Sequence, residues 1–248
     1  MSGMPSRVTR SLVLAALGLA ALTACVDTSP DSEGPRPVTS EEAQLLAITR
    51  FQNFDAGTRP FETAFTLSGV EVTMRGWVDY VAELGYASVT GDFGTEAVLW
   101  TTSSLGAVPR PAADDGYPTF PIPSLDDPEW QIQTLDASSS ALGALVATIS
   151  ALGVDRPDNP LLLQQSGALW LREDEVDGTP VTVFAAPPSD TPLVGATAAP
   201  DPADATLRLW VDADGLLRRA ELFLNNTWNV VDFPDEPGPQ LSLPGESG

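Results

Sequence analysis

Residues 70–80 alternate apolar and polar side chains over eleven consecutive positions. Val70, Val72, Met74 and Val78 stand on one side of this pattern, and Glu71, Thr73, Arg75, Trp77 and Asp79 alternate with that side. Successive side chains of a β-strand point to opposite faces, so a period of two predicts a strand with one buried face. Similar apolar segments, separated by short turns, lie on both sides of it and predict an antiparallel meander. The further predicted strands are residues 61–67, 85–90, 96–102, 167–172, 180–185, 206–211, 216–224 and 227–233.

Two helices are predicted. The first covers residues 39–57, where the Thr39 hydroxyl can cap the backbone and Glu42 can reach back to it, as in a capping box. The second covers residues 137–154, which carry no charge. Its apolar residues at helical spacing are Leu142, Leu145, Val146 and Ile149. A helix with a solvated face would carry charges, so both faces are expected to contact protein or a ligand cavity. A membrane span is the alternative, although a segment containing several Ser and Thr makes a poor one.

The pattern as a whole predicts an α+β domain over residues 39–233, with an antiparallel sheet and two helices. Residues 105–128 contain six prolines and no clear period, which predicts a long irregular loop. Residues 234–248 are rich in Pro, Gly and Glu, which predicts a disordered tail.

Five of the six tryptophans fall in predicted strands. They are Trp77, Trp100, Trp170, Trp210 and Trp228. Packing into an ordinary core is the default interpretation for each of them. Their repetition along the sheet also fits a strongly curved sheet whose concave apolar face is lined by bulky residues, and any part left unfilled becomes a pocket.

The N-terminal residues have the features of a secretory signal. Arg7 and Arg10 precede an apolar stretch over residues 12–22, and residues 22–25 are Leu-Thr-Ala-Cys. Cys25 is the sole cysteine of the chain. This segment resembles a bacterial lipobox, in which the cysteine is acylated and becomes the first residue of the mature protein.

The resemblance implies a signal peptide over residues 1–24, followed by acylated Cys25 and a disordered linker that extends to residue 38. The protein would then be exported and held on the outer face of the cell membrane by its N-terminal acyl anchor. The alternative is an ordinary cleavage site near Ala24 with an unmodified cysteine.

Composition excludes most catalytic machinery. The chain has no His and all twelve of its basic residues are Arg, so a Ser-His-Asp triad, a Ser-Lys dyad and a His-built zinc site are absent. We therefore expect no enzyme activity, no catalytic residues, no metal and no cofactor. A hydrolase that uses a pair of carboxylates is the remaining catalytic alternative. The net charge of −22 repels phosphates, so no nucleic-acid partner is expected.

A candidate ligand cavity follows from the apolar strand face and the uncharged helix, which must meet if the domain has one core. Its predicted wall consists of Val70, Val72, Met74, Val78, Leu142, Leu145, Val146 and Ile149. Each of these residues could equally be plain core.

A resemblance to a known family rests on the lipobox, the linker, the order of the predicted elements and one late hairpin. That hairpin, residues 209–220, has the sequence Leu-Trp-Val-Asp-Ala-Asp-Gly-Leu-Leu-Arg-Arg-Ala. The chain resembles the actinobacterial LppX/LprG-type lipoproteins. The resemblance implies a half-open β-barrel around a few helices, with an apolar cavity that takes acylated lipids or glycolipids, and it brings no catalytic residues.

Two functions are therefore expected as alternatives. The first is a cell-envelope lipoprotein that binds or carries a lipid, a glycolipid or another apolar ligand without chemistry. The second is a non-catalytic interaction module without a ligand cavity, whose loop over residues 105–128 contacts an envelope protein.

Overall fold

One antiparallel sheet of twelve strands organises the computed structural model, which describes residues 34–187 and 205–243. The strands are β1 Arg36–Pro37, β2 Thr58–Leu67, β3 Val70–Asp79, β4 Leu84–Gly91, β5 Gly94–Trp100, β6 Ser104–Pro109, β7 Gln131–Thr134, β8 Leu169–Val176, β9 Thr179–Ala185, β10 Leu207–Asp212, β11 Leu217–Leu224 and β12 Thr227–Asp232. Their order across the sheet is β1-β8-β9-β10-β11-β12-β2-β3-β4-β5-β6-β7, and the sheet is not closed. The predicted signal peptide, Cys25 and the linker up to residue 33 lie outside the described residues.

Within the described residues, three helices accompany the sheet: α1 Ser40–Asp55, α2 Ala141–Ala151 and α3 Pro160–Gln165. The capping box predicted for α1 is confirmed, because the Glu42 amide donates to Thr39 Oγ1 and the Thr39 amide donates to the Glu42 carboxylate. None of the three has the length and apolarity that crossing a membrane would require.

The predicted α+β class is confirmed, and the strand pattern differs from the prediction at three places. β6 overlaps the start of the segment 105–128, for which a loop is expected. The prediction of a loop is therefore wrong for residues 105–109. β1 falls in the predicted linker and pairs with β8, and β7 lies just after the predicted loop. β1 has two residues and β7 has four, which is too short for an alternating pattern to be recognised.

The main core lies between α1, α2 and one face of the sheet, which we call the inner face. The alternating apolar residues of β3 point to this face, where Val72 stands opposite Phe65 of β2 and Met74 stands opposite Thr63. Leu145 and Ile149 of α2 pack in the same cluster and are fully buried. The period of two therefore identified the buried face of β3 correctly.

The opposite, outer face of the sheet also carries apolar clusters. Tyr86 and Leu99, on β4 and β5, pack there with Ile122 and Trp130 of the segment that follows β6. Leu241 joins this cluster and is 2% exposed. Irregular segments therefore cover part of the outer face, where helices would cover it in many other domains.

Residues 234–243 differ from the disordered tail predicted for residues 234–248. The Gly238 amide donates to the Thr58 carbonyl oxygen at 3.2 Å, and the Leu241 amide donates to Asp79 Oδ2 at 3.3 Å. These contacts and the burial of Leu241 fix the segment against the sheet, a role that its Pro-rich and Gly-rich composition does not reveal.

Truncating Leu241 tests this packing. We expect Leu241→Ala to lower the free energy of unfolding by about 2 to 4 kcal/mol, because it leaves a cavity among buried side chains. The measurement is urea unfolding followed by tryptophan fluorescence. Ser242→Ala, at the exposed neighbouring position, is the control and should leave the unfolding midpoint unchanged. Equal midpoints for the two variants would show that the segment is not packed in solution.

Candidate functional site

The connection between α2 and α3 runs back along α1 and is bonded to it. The Val154 amide donates to the Arg50 carbonyl oxygen at 3.1 Å, and the Asp158 amide donates to the Ala47 carbonyl oxygen at 2.8 Å. Arg50 adds a bond from Nε to the Ala151 carbonyl oxygen at 2.8 Å and an ion pair with Asp158 at 3.1 Å. These bonds place α3 beside the N-terminal half of α1 and leave a space between the helices and the sheet.

That space is an apolar cavity of about 440 Å³. Its leucine lining consists of Leu46 on α1, Leu152 after α2, Leu162 and Leu163 on α3, and Leu207 and Leu209 on β10. Ala186 and Pro187, which follow β9, complete the wall on the side of the sheet. We call it the helix cavity. Its volume lies within the range of about 300–1,000 Å³ that is typical of small-molecule sites.

Asn53 forms the polar base of the helix cavity and is fully buried. Its Nδ2 donates to the Leu152 carbonyl oxygen at 2.7 Å. Its Oδ1 accepts from Arg59 NH1 at 2.9 Å and from the Leu217 amide at 3.3 Å. One side chain of α1 thus joins the end of α2 to strands β2 and β11, which fixes the walls of the cavity relative to each other.

Arg59 is a buried cation beside this base and is 4% exposed. Its guanidinium donates to the carbonyl oxygens of Leu217 at 2.7 Å and Phe233 at 3.4 Å, and it lies 5.2 Å from the centre of the Phe233 ring. Within the described ranges it has no carboxylate partner, so backbone and amide oxygens compensate its charge. Burial lowers the pKa of Arg59, but a guanidinium stays protonated in proteins.

The uncharged helix α2 separates the helix cavity from a second cavity of about 610 Å³. Thr148 borders the helix cavity, whereas Ala147 and Ser150 border the second one. Trp100 Nε1 donates to Ser150 Oγ at 2.9 Å, which holds α2 against β5. The absence of charge on α2 is explained by these surroundings, as the sequence predicted.

Tyr80 lines the second cavity and carries a hydroxyl that has no hydrogen-bond partner among the described atoms. Burial raises the pKa of Tyr80, and the positive charge of Arg59 opposes that effect in part. The phenol is therefore neutral and keeps a free donor at physiological pH.

The eight residues predicted as a cavity wall lie in or against the main core. Val72, Met74, Val78, Leu145, Val146 and Ile149 are at most 2% exposed, and Val70 and Leu142 are partly buried. The strand face and α2 do meet, but these side chains fill the space between them. Val78 borders the second cavity and Met74 borders an open groove on the sheet, while none of the eight borders the helix cavity. The structure places the candidate ligand space on the other side of α2.

Sequence reasoning did not identify α3, which supplies two of the cavity leucines. A signal was present, because Asn159 followed by Pro160 is a favourable start for a helix, and the Asn159 side chain accepts from the Leu161 amide. The same residues also fit a turn, and α3 has only six residues. The short length hides its apolar face from a periodicity argument.

Acidic groups are scarce in the helix cavity. Asp158 is the one carboxylate among the described lining residues, and it is paired with Arg50. A glycosidase-type mechanism needs two carboxylates about 5–10 Å apart that face the same substrate. The geometry of this cavity is therefore suited to burial of an apolar group rather than to acid–base chemistry.

Removing the Asn53 side chain tests its role as the base of the cavity. Asn53→Ala leaves the Leu152 carbonyl, the Leu217 amide and one Arg59 donor without their partner, so we expect a loss of roughly 2–4 kcal/mol in the free energy of unfolding. Gln52→Ala is the matched control, because the Gln52 side chain forms no hydrogen bond within residues 34–187 and 205–243, and a change within about 0.5 kcal/mol is expected. Equal losses, measured by urea unfolding, would contradict the role assigned to Asn53.

Comparison with known proteins identifies no family for this chain. The sequence matches no protein-family model, and no curated protein matches it significantly.

Proposed function

We propose that this protein is a cell-envelope lipoprotein that binds or carries an apolar ligand, such as an acyl chain of a lipid or glycolipid, in the helix cavity without chemistry. The observation that carries the proposal is the cavity itself, which has about 440 Å³ of space and a wall rich in leucine. An apolar ligand that fills this space contacts the leucines of the wall and removes their apolar surface from water, so burial stabilises it.

The proposal includes a sheet curved into a half-open β-barrel. α2 contacts β11 and β4, and Ser150 of α2 accepts a hydrogen bond from Trp100 of β5. Five strand spacings separate β11 from β5 in the sheet order, which would be about 24 Å in a flat sheet and roughly twice the diameter of a helix. Contacts of one short helix with both strands support a sheet that bends around it.

The anchor and the family are proposed from the sequence alone. Cys25 after Leu-Thr-Ala supports acylation, and with it export and attachment to the outer face of the cell membrane. The late hairpin and the order of elements support membership of the LppX/LprG-type lipoproteins. A carrier of this kind needs no catalytic group, which agrees with the single, paired carboxylate of the cavity.

An interaction module is the second candidate. The segment between β6 and β7 exposes Phe120, which is 49% accessible and packs edge-on against Trp77 at 6.3 Å. Exposed aromatic side chains of this kind are frequent at protein–protein interfaces. This function would need no ligand in the helix cavity.

Variants of two neighbouring leucines distinguish the ligand carrier from the interaction module. Leu162 lines the helix cavity, whereas Leu161 does not, and the two are similarly exposed at 59% and 63%. We expect Leu162→Asp to weaken binding of a fluorescent fatty acid roughly tenfold, because it places a charge in the apolar wall, and Leu161→Asp to change it less than about twofold. The measurement is a fluorescence titration of the mature chain carrying Cys25→Ser, in solution and without membranes.

The parent chain provides the decisive comparison. If it binds no fatty acid, or if the two aspartate variants weaken binding equally, the helix cavity is not the ligand site. Absence of binding by the parent chain would favour the interaction module.

A further inference from the structure

The hairpin turns at the two ends of the sheet differ in charge. The hairpin turns at one end contain the residue pairs 68–69, 92–93 and 225–226, in which Asp92 is the one charged residue. The hairpin turns at the opposite end contain Glu83, Asp177 and Asp214. The three hairpin turns at the first end therefore hold one acidic residue, whereas the turns at the opposite end hold three.

Helix α3 lies at the first end, the one with the turns at 68–69, 92–93 and 225–226. The helix cavity joins Leu163 of α3 to Ala186, which follows β9, and to Leu207, where β10 begins. The end of β9 and the start of β10 lie at the same end of the sheet as the turns at 68–69 and 225–226. We call this the α3 end of the domain.

The α3 end exposes apolar side chains. Leu161 and Leu162 are 63% and 59% exposed, and Phe93, in the turn between β4 and β5, is 51% exposed. Residues 159–171 contain no charged side chain. Adjacent exposed leucines in an uncharged segment are typical of surfaces that contact a partner or a lipid phase.

The chain also enters the domain at this end. Pro37 of β1 pairs with Leu169 of β8, and Gln164 of α3 donates to the Val38 carbonyl oxygen at 3.3 Å. Cys25 is nine residues before Gly34, the first described residue, and nine residues extend to about 30 Å at most. A lipid on Cys25 would therefore keep Gly34 within this distance of the membrane surface and Val38, beside α3, within about 45 Å of it.

We propose that the α3 end docks on the surface of a phospholipid bilayer, with Leu161 and Leu162 inserted among the headgroups, and that the ligand reaches the helix cavity past Leu162. The inference rests on the proposed function, since it assigns a route from the bilayer to that cavity. In this orientation the acidic turns of the opposite end face away from anionic headgroups. Burial of two leucines favours the docked orientation over others that the tether permits.

Hydrogen exchange on vesicles tests the orientation without relying on natural acylation. The mature chain, residues 25–248, is coupled through its single thiol at Cys25 to a maleimide lipid in phosphatidylcholine vesicles. The reference is the same chain capped with N-ethylmaleimide and mixed with the same vesicles. We expect amide exchange in residues 160–167 to slow roughly tenfold on coupling, while residues 81–83 at the opposite end stay unchanged.

A double variant assigns the protection to the two leucines. Leu161→Ser together with Leu162→Ser should abolish the slowing, and both positions are exposed enough to leave the fold intact. Val81→Ser is the matched control, because Val81 is 64% exposed in the turn between β3 and β4 and should keep the slowing at α3.

Three results would overturn the inference: no slowing at α3, slowing at residues 81–83 instead, or slowing that survives the double variant. The experiment contains no ligand, so its outcome is separate from the fatty-acid titration. Fatty-acid binding without docking would leave the proposed function standing and refute the orientation. Docking without fatty-acid binding would refute the proposed function and leave the orientation standing.

Discussion

The buried contact between Asn53 and Arg59 is the constraint on which the arrangement of helices and sheet depends. A guanidinium that is 4% exposed must have its hydrogen bonds satisfied within the protein, and its described acceptors come from α1, from β11 and from the residue after β12. Losing one partner of a buried charge is costly, because the other partner stays desolvated. α1 is therefore held at a fixed distance from β10 and β11. That distance leaves room for the helix cavity, which a freely moving helix would close by hydrophobic packing.

The remaining architecture follows from a sheet that is apolar on both faces. The inner face is covered by α1 and α2, and the outer face is covered in part by the segment between β6 and β7 and by residues 234–243. Prolines suit such covering segments, because they lack an amide donor that would otherwise need a partner over the sheet. The composition of the Pro-rich regions is typical of linkers. These regions nevertheless pack on the sheet, where Ile122 and Leu241 are buried.

The sequence predicts those parts of the fold that repeat a pattern, and it misses those that depend on distances between elements. The alternation around Val72 and Met74 identified the buried face of β3, and the uncharged segment identified α2 together with its apolar surroundings. A period cannot show whether two apolar faces touch or leave a gap, so Leu145 and Val146 were predicted at a cavity that their own packing fills. α3 has six residues and β1 has two, and neither contains a full repeat of its pattern. The burial of Leu241 depends on a partner surface far away in the sequence.

Strand β8 shows how the open sheet limits contacts between copies of the chain. Among the described strands, β1 pairs only with Trp170 and Leu169 of β8, and the exposed remainder of β8 carries Glu173, Asp174 and Glu175 in succession. If two copies joined along this edge, their strands would place carboxylates opposite carboxylates, which is unfavourable. At the other edge, β7 is four residues long and offers few backbone groups for pairing. Molecules crowded together on one surface would therefore remain separate proteins rather than grow into a continuous sheet.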